Sequence, residues 1–293
     1  MNLEKRFRYD GKEKLTLHER KTDDTSGFHN KEESEASILA DIELLKEMQE
    51  KLYAQDKYAV LIVFQALDAA GKDSTISHVM SGVNPQGCQV VNFKSPSFED
   101  LNHDYLWRVS KELPERGKIG IFNRSHYEEV LVTKVHPEFI LSQKIPNIDS
   151  KKAIDKSFWQ SRYKEITNYE EYLYRNGIII IKFFLHLSKD EQKIRFLKRI
   201  EEKEKNWKFS VSDMKERSFW DEYQLAFEDA ISHTATKRNP WYIIPADQKW
   251  FTRFAVSTII NERLKKLKLE YPTVSAETQF EMQRIKEQLL SEK

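Results

Sequence analysis

Apolar positions along this chain switch between two periods. Ile38, Leu39, Ile42, Leu44, Leu45 and Met48 recur at helical spacing, which predicts an amphipathic helix over 31–56. Tyr58 to Phe64 then form an unbroken apolar run, the pattern of a strand covered on both faces. Shorter runs of the same kind follow at 89–93, 118–122, 178–184 and 241–244. Helical texture fills the gaps: from near Lys72, over 99–113, 125–135, 151–176, 189–205 and 211–232, and from about 248. Pro137 and Pro146 bracket an irregular stretch. Buried strands alternating with helices predict a doubly wound α/β fold of three layers, α/β/α, around a parallel sheet. Residues 1–30 read as a polar arm lying over the domain or partly disordered, 31–270 as the main domain, and 271–293 as a solvated helical tail.

Composition removes several classes. Cys88 is the only cysteine, which excludes an internal disulfide framework and a cysteine metal cluster. No apolar run approaches the length of a membrane span, and the N-terminus lacks a signal peptide's apolar stretch. The expected location is the cytoplasm, with no membrane partner. With 48 Lys and Arg against 47 Asp and Glu, the net charge of +1 gives no general pull toward nucleic acid. An anion site must therefore come from local clustering. His103, His126, His136 and His186 show no metal-ligand spacing, and the serines lack a nucleophile elbow.

Three clusters carry chemistry. Phe64-Gln65-Ala66-Leu67-Asp68-Ala69-Ala70-Gly71-Lys72-Asp73-Ser74-Thr75 lies where a buried strand turns into a helix. That is the place of the G-x-x-x-x-G-K-[S/T] loop, whose backbone N–H groups, helix N-terminus and lysine cradle phosphates. Ala66 replaces the first glycine and Asp73 the magnesium-binding hydroxyl. Carboxylates at 68 and 73 conflict with an anion pocket unless a divalent cation joins them, and magnesium tolerates one or two carboxylates beside phosphate oxygens. The plainer reading is a turn with Asp capping the helix. Asn123-Arg124-Ser125-His126-Tyr127-Glu128 follows another strand and offers an amide oxygen, a bidentate phosphate contact and a carboxylate one turn later. The plainer alternative is an Asn cap with a surface ion pair. Lys189, Lys193, Arg195, Lys198, Arg199, Lys203, Lys205 and Lys208 form a basic stretch whose two arginines share a face. It reads either as a lid over phosphates at about 189–217 or, given Glu201, Glu202 and Glu204, as a solvated helix. Lys94 closes a strand at the ligand-binding edge of such a sheet.

Asp68 to Asp73, Asn123 to Glu128, Trp207-Lys208-Phe209-Ser210 and Pro240 to Asp247, taken in order, resemble the family 2 polyphosphate kinases. Val83 to Gly87 and Leu113 to Gly117 share the likeness, which runs from about Tyr9 to Leu267. The resemblance implies a thymidylate-kinase-like P-loop fold with a helical lid. It also implies Mg2+-dependent phosphoryl transfer between inorganic polyphosphate and nucleotides, with Mn2+ as an alternative metal. Asp68 is similar to the family's catalytic aspartate, which holds the acceptor phosphate through magnesium; many members lack the acid at Glu128, whose carboxylate here offers a second ligand for the metal. Lys72 and Arg124 look like polyphosphate ligands, as do the loop residues Ala69, Ala70, Gly71, Asp73 and Ser74. Lys94 and Lys208 belong with them, and Arg195 and Arg199 resemble lid arginines. Asn123, where many members carry Asp, together with Glu128 resembles the subgroup using both nucleoside mono- and diphosphates. The expected partners are polyphosphate, AMP, ADP, ATP and guanine nucleotides, in a homo-oligomer, a dimer or tetramer. An ATP-dependent kinase of the same fold and a non-catalytic polyanion-binding protein are the alternatives.

Overall fold

The structure, a computed structural model, describes residues 2–292. Its helices are α1 (Leu3–Phe7), α2 (Glu32–Gln55), α3 (Lys72–Val79), α4 (Trp107–Ser110), α5 (Val132–Val135), α6 (Glu138–Leu141), α7 (Lys156–Arg175), α8 (Lys189–Glu201), α9 (Val211–Arg217), α10 (Trp220–Thr234), α11 (Lys249–Lys265) and α12 (Ala276–Ser291). Six strands, β1 (Arg8–Tyr9), β2 (Ala59–Gln65), β3 (Cys88–Asn92), β4 (Ile119–Asn123), β5 (Ile178–His186) and β6 (Trp241–Pro245), form one sheet in the order β1-β6-β5-β2-β4-β3. The pairings among β2 to β6 are parallel, and β1 joins the edge antiparallel to β6.

The unbroken apolar runs are explained by the two cores. Along β2, Val60, Ile62 and Phe64 face one core and Leu61 and Val63 the other. The first core is closed by α2, α3 and α11, through Leu45, Leu52, Ile76, Phe251 and Ile259. The second is closed by α7 and α10, through Tyr163, Ile166, Phe227 and Ile231. A strand enclosed this way has no solvent side and shows no alternation. The stripe on α2 is covered only in part by the chain: Ile38, Leu45 and Leu52 are buried and α2 packs on α11, while Leu39 stays exposed. Among the described residues no helix is long and apolar enough to cross a membrane.

Of the two readings of residues 1–30, the arm lying over the domain holds: it is ordered into α1 and β1, with Leu15 and Leu17 buried. Several other local expectations are corrected. The 99–113 segment is mostly turn, because Ser97 and Asp100 cap each other and Asp104 caps Leu106, leaving one 3-10 turn and the short α4. Residues 126–130 form a 3-10 helix, since Ser125 receives the Tyr127 N–H, and α5 starts after the bend at Leu131. A short helix, α6, interrupts the stretch between the prolines, and 211–232 divides into α9 and α10 at Ser218-Phe219.

Gly120 lies in β4 where an added Cβ would fall 2.9–3.0 Å from three ring atoms of Pro114. The ring is rigid, so Gly120→Ala is expected to destabilise the fold by about 1–3 kcal/mol. Chemical denaturation should show a lowered midpoint with an unchanged slope; an unchanged midpoint rejects the clash.

Candidate active site at the carboxyl ends of the strands

The chain leaves β2 at Gln65 and reaches α3 through Ala66–Gly71. Ala69 (φ 61°) and Gly71 (φ 101°) adopt left-handed backbone. A non-glycine residue in this region costs energy, and such turns direct successive N–H groups into an anion-sized hollow. Ala66 is not among the residues of positive φ, so the missing first glycine demands nothing of the backbone. Its carbonyl accepts from Lys72 Nζ at 2.9 Å. Lys72 is buried, and burial, aided by Arg124, pushes its ammonium below the ordinary lysine value despite Asp68, Glu128 and Asp73.

Turning N–H groups inward leaves carbonyls outward, and Arg195 of α8 receives them. Its Nη1 donates to Ala69 O (3.0 Å) and Ala70 O (2.8 Å), and its Nη2 to Ala246 O (2.6 Å) and Asp247 O (3.1 Å). Its Nε donates to Glu191 Oε1 at 2.8 Å. All five guanidinium N–H groups thus have partners. The residue is 5% exposed. Arg195, expected as a lid arginine over the phosphates, is here a strut beneath the loop. Ser74 likewise turns its hydroxyl back to Gly71 O at 3.0 Å.

Arg124 follows β4 with φ 64°, and its N–H donates to Phe64 O at 3.1 Å. Its Nη2 meets Asp68 Oδ1 at 2.8 Å and its Nη1 meets Glu128 Oε2 at 3.2 Å, so one guanidinium joins the two carboxylates. Glu128 first, then Asp68 against the cost of burial, drive its pKa further up. Asn123 Nδ2 donates to Asp73 Oδ1 (2.6 Å) and Asn92 Oδ1 (2.7 Å), tying the loop to β3, while its Oδ1 is buried without a partner among the described residues. Asp73 is therefore held by Asn123, and the α3 N-cap is Gly71, which has no side chain to cap the helix, contrary to the plain reading of an Asp cap.

Arg124 stands where three cavities meet. A basic cleft of about 360 Å³ holds the loop, Lys94 and Asn123, with Lys198, Arg199, Lys205 and Lys208 of the lid segment and Lys249 opposite. A more apolar pocket of about 280 Å³ is walled by Phe93, Tyr105, Val109 and Phe139 and bounded by Arg124, His126, Glu128 and Glu129. A small gap of about 30 Å³ between them contains Asp68, Glu128, Asp213, Glu216 and Arg217. Arg199 bonds Asp213 Oδ2 (2.9 Å) and Lys208 O (3.2 Å) within the lid segment. Burial, then the charge of Asp68, pushes the Asp213 carboxyl up.

Sequence reasoning missed Asp213, Glu216 and Arg217. The available signal was their spacing with Trp220, at i, i+3, i+4 and i+7, which gathers them on one face.

This like-charge crowding suits a cation. Asp68 and Glu128 supply the hard oxygen donors that Mg2+ takes. Among the described residues no group of three His, Cys, Asp or Glu side chains could hold a metal ion, so an ion at this pair would complete its shell from phosphate oxygens and water.

The family model for polyphosphate kinase 2 (PPK2) matches residues 28–272. The chain belongs to the polyphosphate kinase 2 family. It is 48% identical over 286 residues to the ADP-polyphosphate phosphotransferase of Rhodopseudomonas palustris, covering 98% of each chain. It is 43% identical over 251 residues to the AMP/ADP-polyphosphate phosphotransferase of Meiothermus ruber, covering 85% of this chain and 88% of that one. Its fold matches the crystal structure of polyphosphate kinase 2 from Arthrobacter aurescens with a TM-score of 0.88 and 33% identity, over 98% and 97% of the two chains.

Arg195→Met removes the donor of four carbonyls and the ion pair with the part-exposed Glu191. The expected loss is roughly 1–3 kcal/mol, the scale of leaving buried acceptors without their donor. Differential scanning calorimetry would show a lowered melting temperature. Unchanged melting with lost activity would return Arg195 to the role of a lid arginine.

Proposed function

We propose that this protein transfers phosphoryl groups between inorganic polyphosphate and AMP or ADP, leading to ATP, with guanine nucleotides as further acceptors. The observation that carries the reading is Arg124 at the junction of a cationic cleft and a largely apolar pocket. Besides Arg195, which is committed to the loop carbonyls, the cleft places eight Lys and Arg side chains against two Asp carboxylates, and Phe93 is its one aromatic wall. That lining suits a long polyanion carrying no base, which favours polyphosphate over ATP as donor. The apolar pocket suits the acceptor's nucleoside.

The nucleophile is a nucleotide phosphate oxygen, anionic at neutral pH, so a strong general base is unnecessary. The barrier lies in bringing two polyanions together, and positioning with charge neutralisation must lower it. In this reading the loop N–H groups and Lys72 hold the donor end. Arg124 lies between donor and acceptor, releasing part of its hold on Asp68 and Glu128 as phosphate arrives. Asp68 and Glu128 would hold magnesium, which would supply charge neutralisation on the acceptor. Lys198, Arg199, Lys205 and Lys208 cover the cleft and exclude water, the competing acceptor. Assembly as a homo-oligomer belongs to the same proposal, supported by Met282, Ile285 and Leu289, which lie exposed at heptad spacing on α12.

A luciferase-coupled ATP assay with polyphosphate, Mg2+ and either ADP or AMP tests the reading. Product from both acceptors is expected; turnover with ATP as donor but none with polyphosphate overturns it. Lys72→Ala and Asp68→Asn should each lower kcat by about 10²–10³. Asn123→Asp sets a third carboxylate beside Asp73, and the expected result is a changed AMP-to-ADP rate ratio; an unchanged ratio removes Asn123 from acceptor choice.

A pH dependence follows from Lys72. Its charge is present below its pKa and lost above it, and burial has lowered that pKa. KM for polyphosphate should therefore rise on the alkaline side. Lys72→Arg, which stays charged, should move that rise to higher pH, and an identical profile in the two proteins would exclude Lys72 as its source.

A further inference from the structure

Lys182 lies in the middle of β5 with no solvent exposure. Its Nζ donates to Glu170 Oε2 of α7 at 2.6 Å, to Tyr127 OH at 2.9 Å and to Thr234 O at the end of α10 at 3.0 Å. Tyr127 OH in turn donates to Glu170 Oε1 at 2.6 Å, and His126 Nε2 lies 3.7 Å from the same oxygen. Burial works against the charge of Glu170, yet Lys182 and His126 outweigh it and hold the carboxyl below its usual range.

Two features separate this cluster from ordinary core packing. Apolar side chains could fill the space without removing two charges from water, and such replacements are often neutral or stabilising. Stability alone therefore does not explain the pair. The cluster also grips one particular turn. Tyr127 and His126 directly follow Arg124 and Ser125, and the Ser125 hydroxyl accepts from Gln65 Nε2 (3.1 Å) and from the Tyr127 N–H (3.1 Å). The turn is pinned at its base, while Arg124 keeps a left-handed backbone that persists only where its surroundings hold it.

We propose that Lys182 is a positioning residue which, through Glu170 and Tyr127, fixes the 125–127 turn and so sets Arg124 at the junction of the three cavities, with Glu128 beside it. This rests on the phosphotransfer reading above for its catalytic consequence, and on the geometry alone for its structural one.

The test compares wild type with Lys182→Met, the paired replacement Lys182→Met/Glu170→Met, and each of these combined with Arg124→Ala. Lys182→Met alone leaves a buried, unpaired carboxylate, so the paired replacement keeps the test meaningful if the single variant does not fold. The paired variant, which leaves Tyr127 OH and Thr234 O without these partners, is expected to fold with a lowered melting temperature and to lose about 10–100-fold in kcat, the scale of an outer-shell support, with KM for polyphosphate moved far less. In the Arg124→Ala background the same replacement should cost under about threefold, because residues acting as a unit do not add. Full kcat in the paired variant, or a loss that multiplies with that of Arg124→Ala, overturns the proposal. A wild type inactive with polyphosphate strikes the phosphotransfer reading instead. In that event the arginine Nε–H NMR spectrum decides the positioning claim. Arg124's resonance, assigned through Arg124→Lys, should be dispersed in wild type and collapse toward free arginine in the paired variant. A resonance that stays dispersed overturns the proposal.

Discussion

A peptide plane that turns its N–H toward a ligand turns its C=O away, and that carbonyl must then find a donor. The loop after β2 is subject to this constraint, and much of the molecule around it meets the consequence. Arg195 takes the carbonyls of Ala69 and Ala70 with one nitrogen and those of Ala246 and Asp247 with the other. Asp247 then accepts from Ser188 N–H at the cap of α8 and from Thr22 Oγ1 in the arm, at 2.8 and 2.7 Å. The phosphate cradle, the end of β6, the root of α8 and the arm are thus joined through one guanidinium and one carboxylate.

A second constraint is electrical. Carboxylates at 68, 73, 128 and 213 gather at a place shaped for anions. Each is engaged by a neighbour: Asp68 and Glu128 by Arg124, Asp73 by Asn123, and Asp213 by Arg199. Arg124 and Arg199 can change partners, since a guanidinium can exchange a carboxylate for a phosphate with the same planar geometry. Such a centre stands ready for substrate while keeping its charges compensated in the meantime.

The fold was legible because β2, β4, β5 and β6 are enclosed on both faces and read as continuous apolar runs. β1 was not, because two residues make no period, and what makes Arg8–Tyr9 a strand is β6, far along the chain. The 99–113 and 125–135 segments carried helical texture, but Ser97, Asp100, Asp104 and Ser125 bound nearby backbone and diverted it. Loop chemistry was legible from Gly71, Lys72 and the paired aspartates. Spacing placed Arg195 and Arg199 on one face, yet could not show that loop carbonyls would consume the first while the second stayed at the cleft. Asp213 was hidden because its significance lies in facing Asp68 across a gap between distant segments.

The tie between Thr22 and Asp247 also bears on how the protein is made. Within this chain the arm is synthesised well before the partners that order it: Tyr242 for Glu4, Glu228 for Leu17 and Asp247 for Thr22. Sheet, loop and lid segment must all be synthesised before Arg195 can gain its second pair of carbonyls. A nascent chain lacking β6 therefore holds an incomplete cradle and an undocked arm with Phe7, Leu15 and Leu17 uncovered. The interval before residue 247 emerges is when this protein has most need of a chaperone and least capacity to bind its substrate.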